Sequence, residues 1–256
     1  MSTLNKKIEL IAHRGYAGKF PENTLESIKA AVEVGARWVE FDIQLTADGI
    51  PVLMHDASVH RTTGQSGIVM DLELKALGNF SAHEPYRFGE QFTGVGIPTL
   101  ASVVDALSAW PHVNVFAEIK QESIERFGSR FTVARVLEAL QPCMDQCVVI
   151  SFVAEAIAQA SELGASRVGW AIRQFNGVVL SEAKMLTPDF LFCDHKIIPA
   201  VSKQNPHPLW QGPWQWAIYE VGNAGLALRL AEVGVDLIET FEIGTLIRHP
   251  EFTPLK

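Results

Sequence analysis

The residues that could do chemistry are two histidines, three carboxylates and two cations. His13 and His55 bracket the stretch from Ile11 to Asp56, and Glu40 and Asp42 lie between them, one residue apart. Glu118 and Lys120 stand together in a later segment, and Arg14 follows His13 directly. Imidazoles titrate near neutrality and can both take and give a proton. Three carboxylates without cysteine or clustered histidine are a hard oxygen set, suited to Mg2+ or Ca2+ rather than zinc. Arg14 can fork onto phosphoryl oxygens, and Lys120 can add a point charge. Phosphodiester cleavage needs these functions together: proton removal from the nucleophile, proton delivery to the leaving alcohol, and stabilised charge on phosphorus-bound oxygens. Each group also has a plainer reading. Arg14 or Lys120 could pair with an internal carboxylate, Glu40 and Asp42 could form a solvated strand face, and His60, His83, His112, His195, His207 and His249 are taken as structural or surface residues.

Positioning those side chains requires a scaffold, and the hydrophobic pattern supplies one. Short apolar runs at 8–12, 38–43, 113–119, 147–152, 167–172, 190–193, 214–219 and 235–239 alternate with helix-like stretches. Eight strands with intervening helices predict a parallel α/β sheet closed as a TIM (β/α)8 barrel. Along Trp38–Gln44, alternation puts Val39, Phe41 and Ile43 on one face and Glu40, Asp42 and Gln44 on the other. A barrel covers the outer face with helices, so the acidic face must look inward, where unpaired carboxylates are costly and a cation relieves them. His13 and His55 follow the first and second strands, at the end where active sites of this architecture gather.

The connections are also legible. Pro21-Glu22-Asn23-Thr24 predicts a helix start with Asn23 or Thr24 as cap, and Gly35 predicts its end. Ala47-Asp48-Gly49 reads as a turn, followed by a short extension over 50–54. Residues 57–96 break the alternation with glycines at 64, 67, 78, 89, 94 and 96 and read as an insertion or cap. Helices are expected over 99–109, 122–140, 154–163 and 223–233, and residues 196–213, with four prolines and a tryptophan cluster at 210, 214 and 216, as loop. The tryptophans could line a substrate mouth or fill barrel packing. The whole chain, 1–256, is expected to form one barrel domain.

Composition bounds the partners. The net charge of -8 comes without a basic run, which argues against nucleic acid. Cys143, Cys147 and Cys193 form neither a CxxC nor an even framework, and suit a reducing compartment as buried apolar side chains. The N-terminus lacks the apolar core of a signal peptide and no run reaches membrane-spanning length, so the expected place is the cytoplasm, without a stable membrane anchor. Oligomeric state is not encoded legibly.

With those residues in view, the chain resembles the glycerophosphodiester phosphodiesterase family, most strongly over residues 10–120. The resemblance rests on His13-Arg14-Gly15, Pro21-Glu22-Asn23-Thr24, Glu40-Phe41-Asp42, Asp48-Gly49, His55-Asp56, Arg61-Thr62-Thr63, Ile97-Pro98-Thr99-Leu100 and Glu118-Ile119-Lys120. It implies a TIM barrel with a small insertion after the second strand. It implies that His13 and His55 are the general acid/base pair, that Glu40, Asp42 and Glu118 hold one divalent cation, that Arg14 and Lys120 contact the phosphate, and that Glu22 supports the site. The implied reaction is hydrolysis of glycerophosphodiesters to sn-glycerol 3-phosphate and an alcohol, by water directly or through a cyclic phosphate. The C-terminal half departs from the family pattern: Glu220-Val221-Gly222 stands where Thr-Val-Asn is usual, and Thr240-Phe241 where Thr-Asp is usual. The same chemistry on lysophospholipids or another small phosphodiester is the alternative. A catalytically silent barrel that binds a phosphorylated ligand is a further one.

Overall fold

The computed structural model describes residues 8–202 and 205–252. Among them, nine strands form one sheet: β1 (Glu9–Ala12), β2 (Trp38–Leu45), β3 (Pro51–Leu53), β4 (Asn114–Ile119), β5 (Cys147–Ser151), β6 (Val168–Ala171), β7 (Phe190–Asp194), β8 (Gln215–Tyr219) and β9 (Leu237–Thr240). Their order is β1-β9-β8-β7-β6-β5-β4-β2-β3, and β1 also pairs with β2. That last pairing closes eight parallel strands into the expected barrel. β3 lies outside the ring as an antiparallel partner of β2, joined through the Asp48-Gly49 turn.

The strands form where Val, Ile and Phe are concentrated, because both faces are covered. Alternate residues point inward. Ile11, Trp38, Phe116, Val148, Ile150, Phe190, Phe192 and Leu237 make an apolar floor inside the barrel. Phe116 is at its centre, stacked on Trp38 with ring centres 4.7 Å apart and edge-on to Phe190 and Phe192. The larger core lies between the sheet's outer face and the helices.

The helices start where polar caps stand. Thr24 caps α1 (Leu25–Glu33) in a capping box with Ser27, and Gly35 follows at φ +100°. Thr99 caps the helix Leu100–Leu107, and Asn223 caps Ala224–Glu232. The single helix expected over 122–140 is two, Gln121–Phe127 and Ser129–Leu140, because Gly128 adopts φ +85° and breaks the ladder. A helix over Gly177–Leu186, capped by Asn176, was not foreseen; Val178 and Met185 are exposed and blur its apolar stripe. The segment 57–96 holds only short helices, at His60–Thr63, Leu74–Leu77 and Pro85–Phe88, over a small cluster of Val52, Met54, Val59, Val69 and Leu77. Trp214 and Trp216 are buried in the outer core and both indoles donate to the Trp210 carbonyl, so these rings serve packing.

If the aromatic floor is what keeps the barrel's interior filled, Phe116→Ala should destabilise the protein by about 3–5 kcal/mol, the usual cost of emptying a fully packed phenylalanine site. Urea unfolding measures this. A loss under about 1 kcal/mol would mean that the floor is not close-packed.

Candidate active site

The C-terminal ends of β1, β2, β4 and β9 bring the chemical residues to one mouth. His13 follows β1 immediately. Its neighbour Arg14 sits at φ 55° and Gly15 at φ 75°, a tight reversal. A Cβ on Gly15 would lie 2.5 Å from the Ser27 backbone, so only glycine lets this turn approach the start of α1. The reversal aims the Arg14 N–H at Glu40, where it donates to Oε2 at 3.0 Å.

The Pro21-Glu22-Asn23-Thr24 stretch does more than start a helix. Thr24 is the cap. Asn23, held at φ 55°, accepts from the Asp42 N–H at 3.0 Å and donates to Asp42 Oδ2 at 2.8 Å. Glu22 accepts from Arg14 at 3.0 Å and from both Nη atoms of Arg61 at 2.7 Å. The Glu22 N–H in turn donates to Glu84 of the 57–96 segment. Glu84 is buried and paired with Arg87, which also donates to the Ala17 carbonyl. The cap is thereby tied to the barrel through charge.

Glu40 and Asp42 project inward above the apolar floor, each only 1% exposed, and Asp42 lies in register with Glu118 on β4. Oxygens of Glu40, Asp42 and Glu118 lie within 4.8 Å of one another. One oxygen each of Glu40 and Asp42 is buried without a hydrogen bond. A donor set of crowded carboxylates with unsatisfied oxygens fits a hard divalent cation. Arg14 Nε is 3.1 Å from Asp42, an ion pair without hydrogen-bond alignment, and Lys120 Nζ is 2.7 Å from Glu118 and 3.3 Å from Asp42. Both cations predicted to meet phosphate are thus at the mouth and paired with its carboxylates.

Burial sets the electrostatics. It pushes Glu40 well above the usual carboxylate range, reinforced by Asp42, Glu239 and Glu118. Burial and then Asp42 raise Glu118 despite Lys120. Burial alone would also raise Asp42, but Lys120 and Arg14 hold it well below its ordinary value. Burial, then Arg14, lower the His13 imidazole well below its ordinary value, which favours the neutral ring.

The two histidines differ in setting. His13 is buried, its ring stacked on Phe241 at 4.3 Å with 12° between planes, and its Nε2 lies 3.7 Å from Glu40 and 4.0 Å from Glu239. His55, half-buried, has Nδ1 2.7 Å from Asp56 Oδ1. Arg61 holds Asp56 with Nε at 2.7 Å while gripping Glu22, so His55 joins the network that orders Arg14. Of the two departures in the C-terminal half, Phe241 packs on His13 while Glu220 is exposed.

The sequence reading missed Glu239. It is buried at the end of β9 and forms a second close group with His13 and Glu40. The rule that exposed Glu40 would have found it: a carboxylate at the C-terminal end of a barrel strand, in phase with an inward Leu237. Arg61 and Asp56 were visible as motif members without roles, and Asn23 only as a cap candidate, a place that Thr24 takes. Nothing in the sequence marks Glu84.

A profile of the glycerophosphoryl diester phosphodiesterase family matches residues 13–167. Glycerophosphodiester phosphodiesterase 1 of Bos taurus is 34% identical over 152 residues, covering 59% of this chain and 44% of that protein. The glycerophosphodiester phosphodiesterase of Caldanaerobacter subterraneus subsp. tengcongensis is 44% identical over 101 residues, covering 40% of this chain and 41% of that one. The chain thus spans less than half the length of these curated relatives. Among solved structures, an Oleispira antarctica phosphodiesterase in complex with its product sn-glycerol-3-phosphate matches with TM-score 0.81 at 24% identity, over 93% of this chain and 94% of that one. A glycerophosphodiester phosphodiesterase from Parabacteroides distasonis matches with TM-score 0.75 at 22% identity, over 94% of each chain. At these identities the structural likeness is one of fold.

A cation at this mouth has to displace protons. Glu40, Glu118 and Glu239 are raised, so the stability their protonated forms contribute is full below the ordinary glutamate value of 4.5 and lost as pH rises through the raised values. His13 is lowered and works in the opposite sense below its ordinary 6.5, so the quantity to read is the difference between cation-loaded and cation-free protein. The rise in Tm on adding saturating Ca2+ or Mg2+ to EDTA-treated protein should be small near pH 5 and grow toward pH 8. A cation effect independent of pH would contradict this electrostatic picture.

Proposed function

The chain belongs to the glycerophosphoryl diester phosphodiesterase family, and from that premise we propose that it hydrolyses glycerophosphodiesters to sn-glycerol 3-phosphate and an alcohol in a divalent-cation-dependent reaction. The observation that carries the reading is convergence: His13, His55, Arg14 and Lys120 stand at one barrel mouth around Glu40, Asp42 and Glu118. The proposed place is the cytoplasm, in the turnover of lipid headgroups and the recovery of glycerol phosphate.

Glu40, Asp42 and Glu118 would hold the cation. When bound, it supplies charge to the phosphoryl oxygens. The residues of the chain do the rest. Arg14 and Lys120 orient the phosphate; their fixed ion pairs keep them extended toward it, and the guanidinium has donors to spare beyond Glu22 and Asp42. His13, neutral through burial, is suited to accept the proton of the nucleophile. His55, whose Nδ1 is held by Asp56, can present its other nitrogen to the leaving alcohol. Asp56 is itself fixed by Arg61, so the acid is oriented by a charged chain that reaches Glu22. Phe241 keeps water from one face of His13.

For the lysophospholipid alternative, a tryptophan-lined mouth would have been a supporting feature. Trp214 and Trp216 are buried in packing and supply none.

Glycerophosphocholine, glycerophosphoethanolamine and glycerophosphoglycerol are the substrates to test, with sn-glycerol 3-phosphate as the product measured, before and after EDTA and on return of Mg2+ or Ca2+. Cation-restored release is expected, and His13→Ala and His55→Ala should each lower turnover by at least ~100-fold, the ordinary contribution of acid/base catalysis. Turnover indifferent to EDTA, or preserved in both variants, would overturn the mechanism.

A further inference from the structure

The carboxylate ring has one more member than the proposed cation set uses. Glu239 is the penultimate residue of β9, three strands around the closed sheet from β4, and is buried with its carboxylate 4.0 Å from His13 Nε2. Ligand atoms of His13, Glu40 and Glu239 lie within 4.8 Å of one another, as do those of Glu40, Asp42 and Glu118. Glu40 is therefore common to both groups, which adjoin as an acidic arc. The ring orders no donor onto Glu40 Oε1, which is buried and has no hydrogen-bond partner, while Oε2 is already taken by the Arg14 N–H. That orphaned oxygen belongs to a residue only 1% exposed and common to both groups.

We infer that Glu239 is a fourth acidic ligand of the same divalent cation and biases the site toward Ca2+ over Mg2+. The inference rests on the functional reading above, because it deepens the cation site assumed there. Two arguments support it. The first is charge. Glu40, Asp42, Glu118 and Glu239 face two fixed cations, Arg14 and Lys120, which leaves two negative charges at the mouth, the complement of one divalent ion. With Glu239 left out, the remaining charge is one. The second is coordination. Ca2+ takes six to eight oxygens at about 2.3–2.6 Å in flexible geometry, whereas Mg2+ demands a tight octahedron, keeps its waters and usually takes one or two carboxylates. An arc of four carboxylates offers more oxygens than Mg2+ accommodates and suits the larger ion. His13 at the end of the arc is not needed as a ligand; its Nε2 remains free to face the substrate beside the cation.

A cation bound in the arc would also account for Glu239, a buried glutamate among like charges. Among the described residues no arginine or lysine pairs with it, and its strongest electrostatic neighbours are Glu118 and Asp42. Such a position is costly unless something positive occupies the arc.

The experiment is calorimetric titration of Ca2+ and Mg2+ into the EDTA-stripped 256-residue chain, comparing the native chain with E239Q, E239D and D42N, each checked for fold by its thermal transition. One Ca2+ per chain is expected, bound more tightly than Mg2+. E239Q should weaken Ca2+ by at least about tenfold, following the loss of one charged ligand, and Mg2+ by less, so that the Ca2+/Mg2+ preference falls; E239D, which keeps the charge, should fall between. A Ca2+/Mg2+ preference unchanged in E239Q, with binding still abolished in D42N, would overturn the role of Glu239 and leave the three-carboxylate site standing. Two Ca2+ per chain would overturn the single shared arc. No divalent binding by the native chain would overturn the cation-dependent reading as well as this inference. A merely structural Glu239 would change the thermal transition without moving the preference ratio.

Discussion

The mouth of this barrel depends on keeping several carboxylates close together and out of water. Two like charges about 4.8 Å apart repel by roughly 3–4 kcal/mol at an effective dielectric near 20, and Glu40, Asp42 and Glu118 approach within that distance. The fold does not relieve this by spreading them apart. It inserts Lys120 between Asp42 and Glu118, sets Arg14 beside Asp42, and directs a backbone N–H at Glu40. The relief is partial: burial, then the neighbouring carboxylates, hold Glu40 well above the usual carboxylate range, while Lys120 and Arg14 outweigh burial at Asp42 and hold it below its own. A site left short of positive charge, with its carboxylate oxygens fixed in advance, has a donor set that fits a hard divalent cation.

That preorganisation is achieved by loops that would be strained elsewhere. Arg14, Asn23 and Glu84 all take positive φ without being glycine, a conformation that costs of order 1–3 kcal/mol each when the surroundings do not enforce it. Here they do. Arg14 turns its N–H to Glu40, Asn23 clasps both ends of Asp42, and Glu84 reaches the Glu22 N–H from the cap. The chain of contacts from Glu84 through Glu22 and Arg61 to Asp56 ends on His55. The cap is therefore built into the ordering of a catalytic candidate and is not merely a cover.

Much of this was legible in the sequence because the signals are local. Strand runs in a closed parallel barrel are continuous and apolar, so the eight ring strands lie within a residue or two of their expected bounds. The inward phase of Glu40 and Asp42 follows from alternation and coverage alone. What could not be read was long-range. Asn23 looked like a cap and is a clasp on Asp42, nineteen residues away. Gly128 lay inside a periodic run, and only its left-handed backbone divides the helix. Glu84 acts through a backbone N–H 62 residues distant, with no pattern to announce it.

Glu239 and Phe241 show how the family's shared part and this chain's own part meet. The family profile ends at residue 167, well before β9. Closure of the barrel nevertheless places β9 beside β1, in register Ile11 with Glu239 and Ala12 with Thr240. Residues from the far end of the chain therefore become the immediate neighbours of His13. One of them puts an aromatic ring flat against the imidazole, and the other puts a carboxylate at its Nε2. The stacked ring excludes water from one side, strengthening every charge interaction on the other. In this barrel the last strand borders the first, so a change at Glu239 or Phe241 acts directly on the surroundings of His13 without touching a single residue of the amino-terminal motifs.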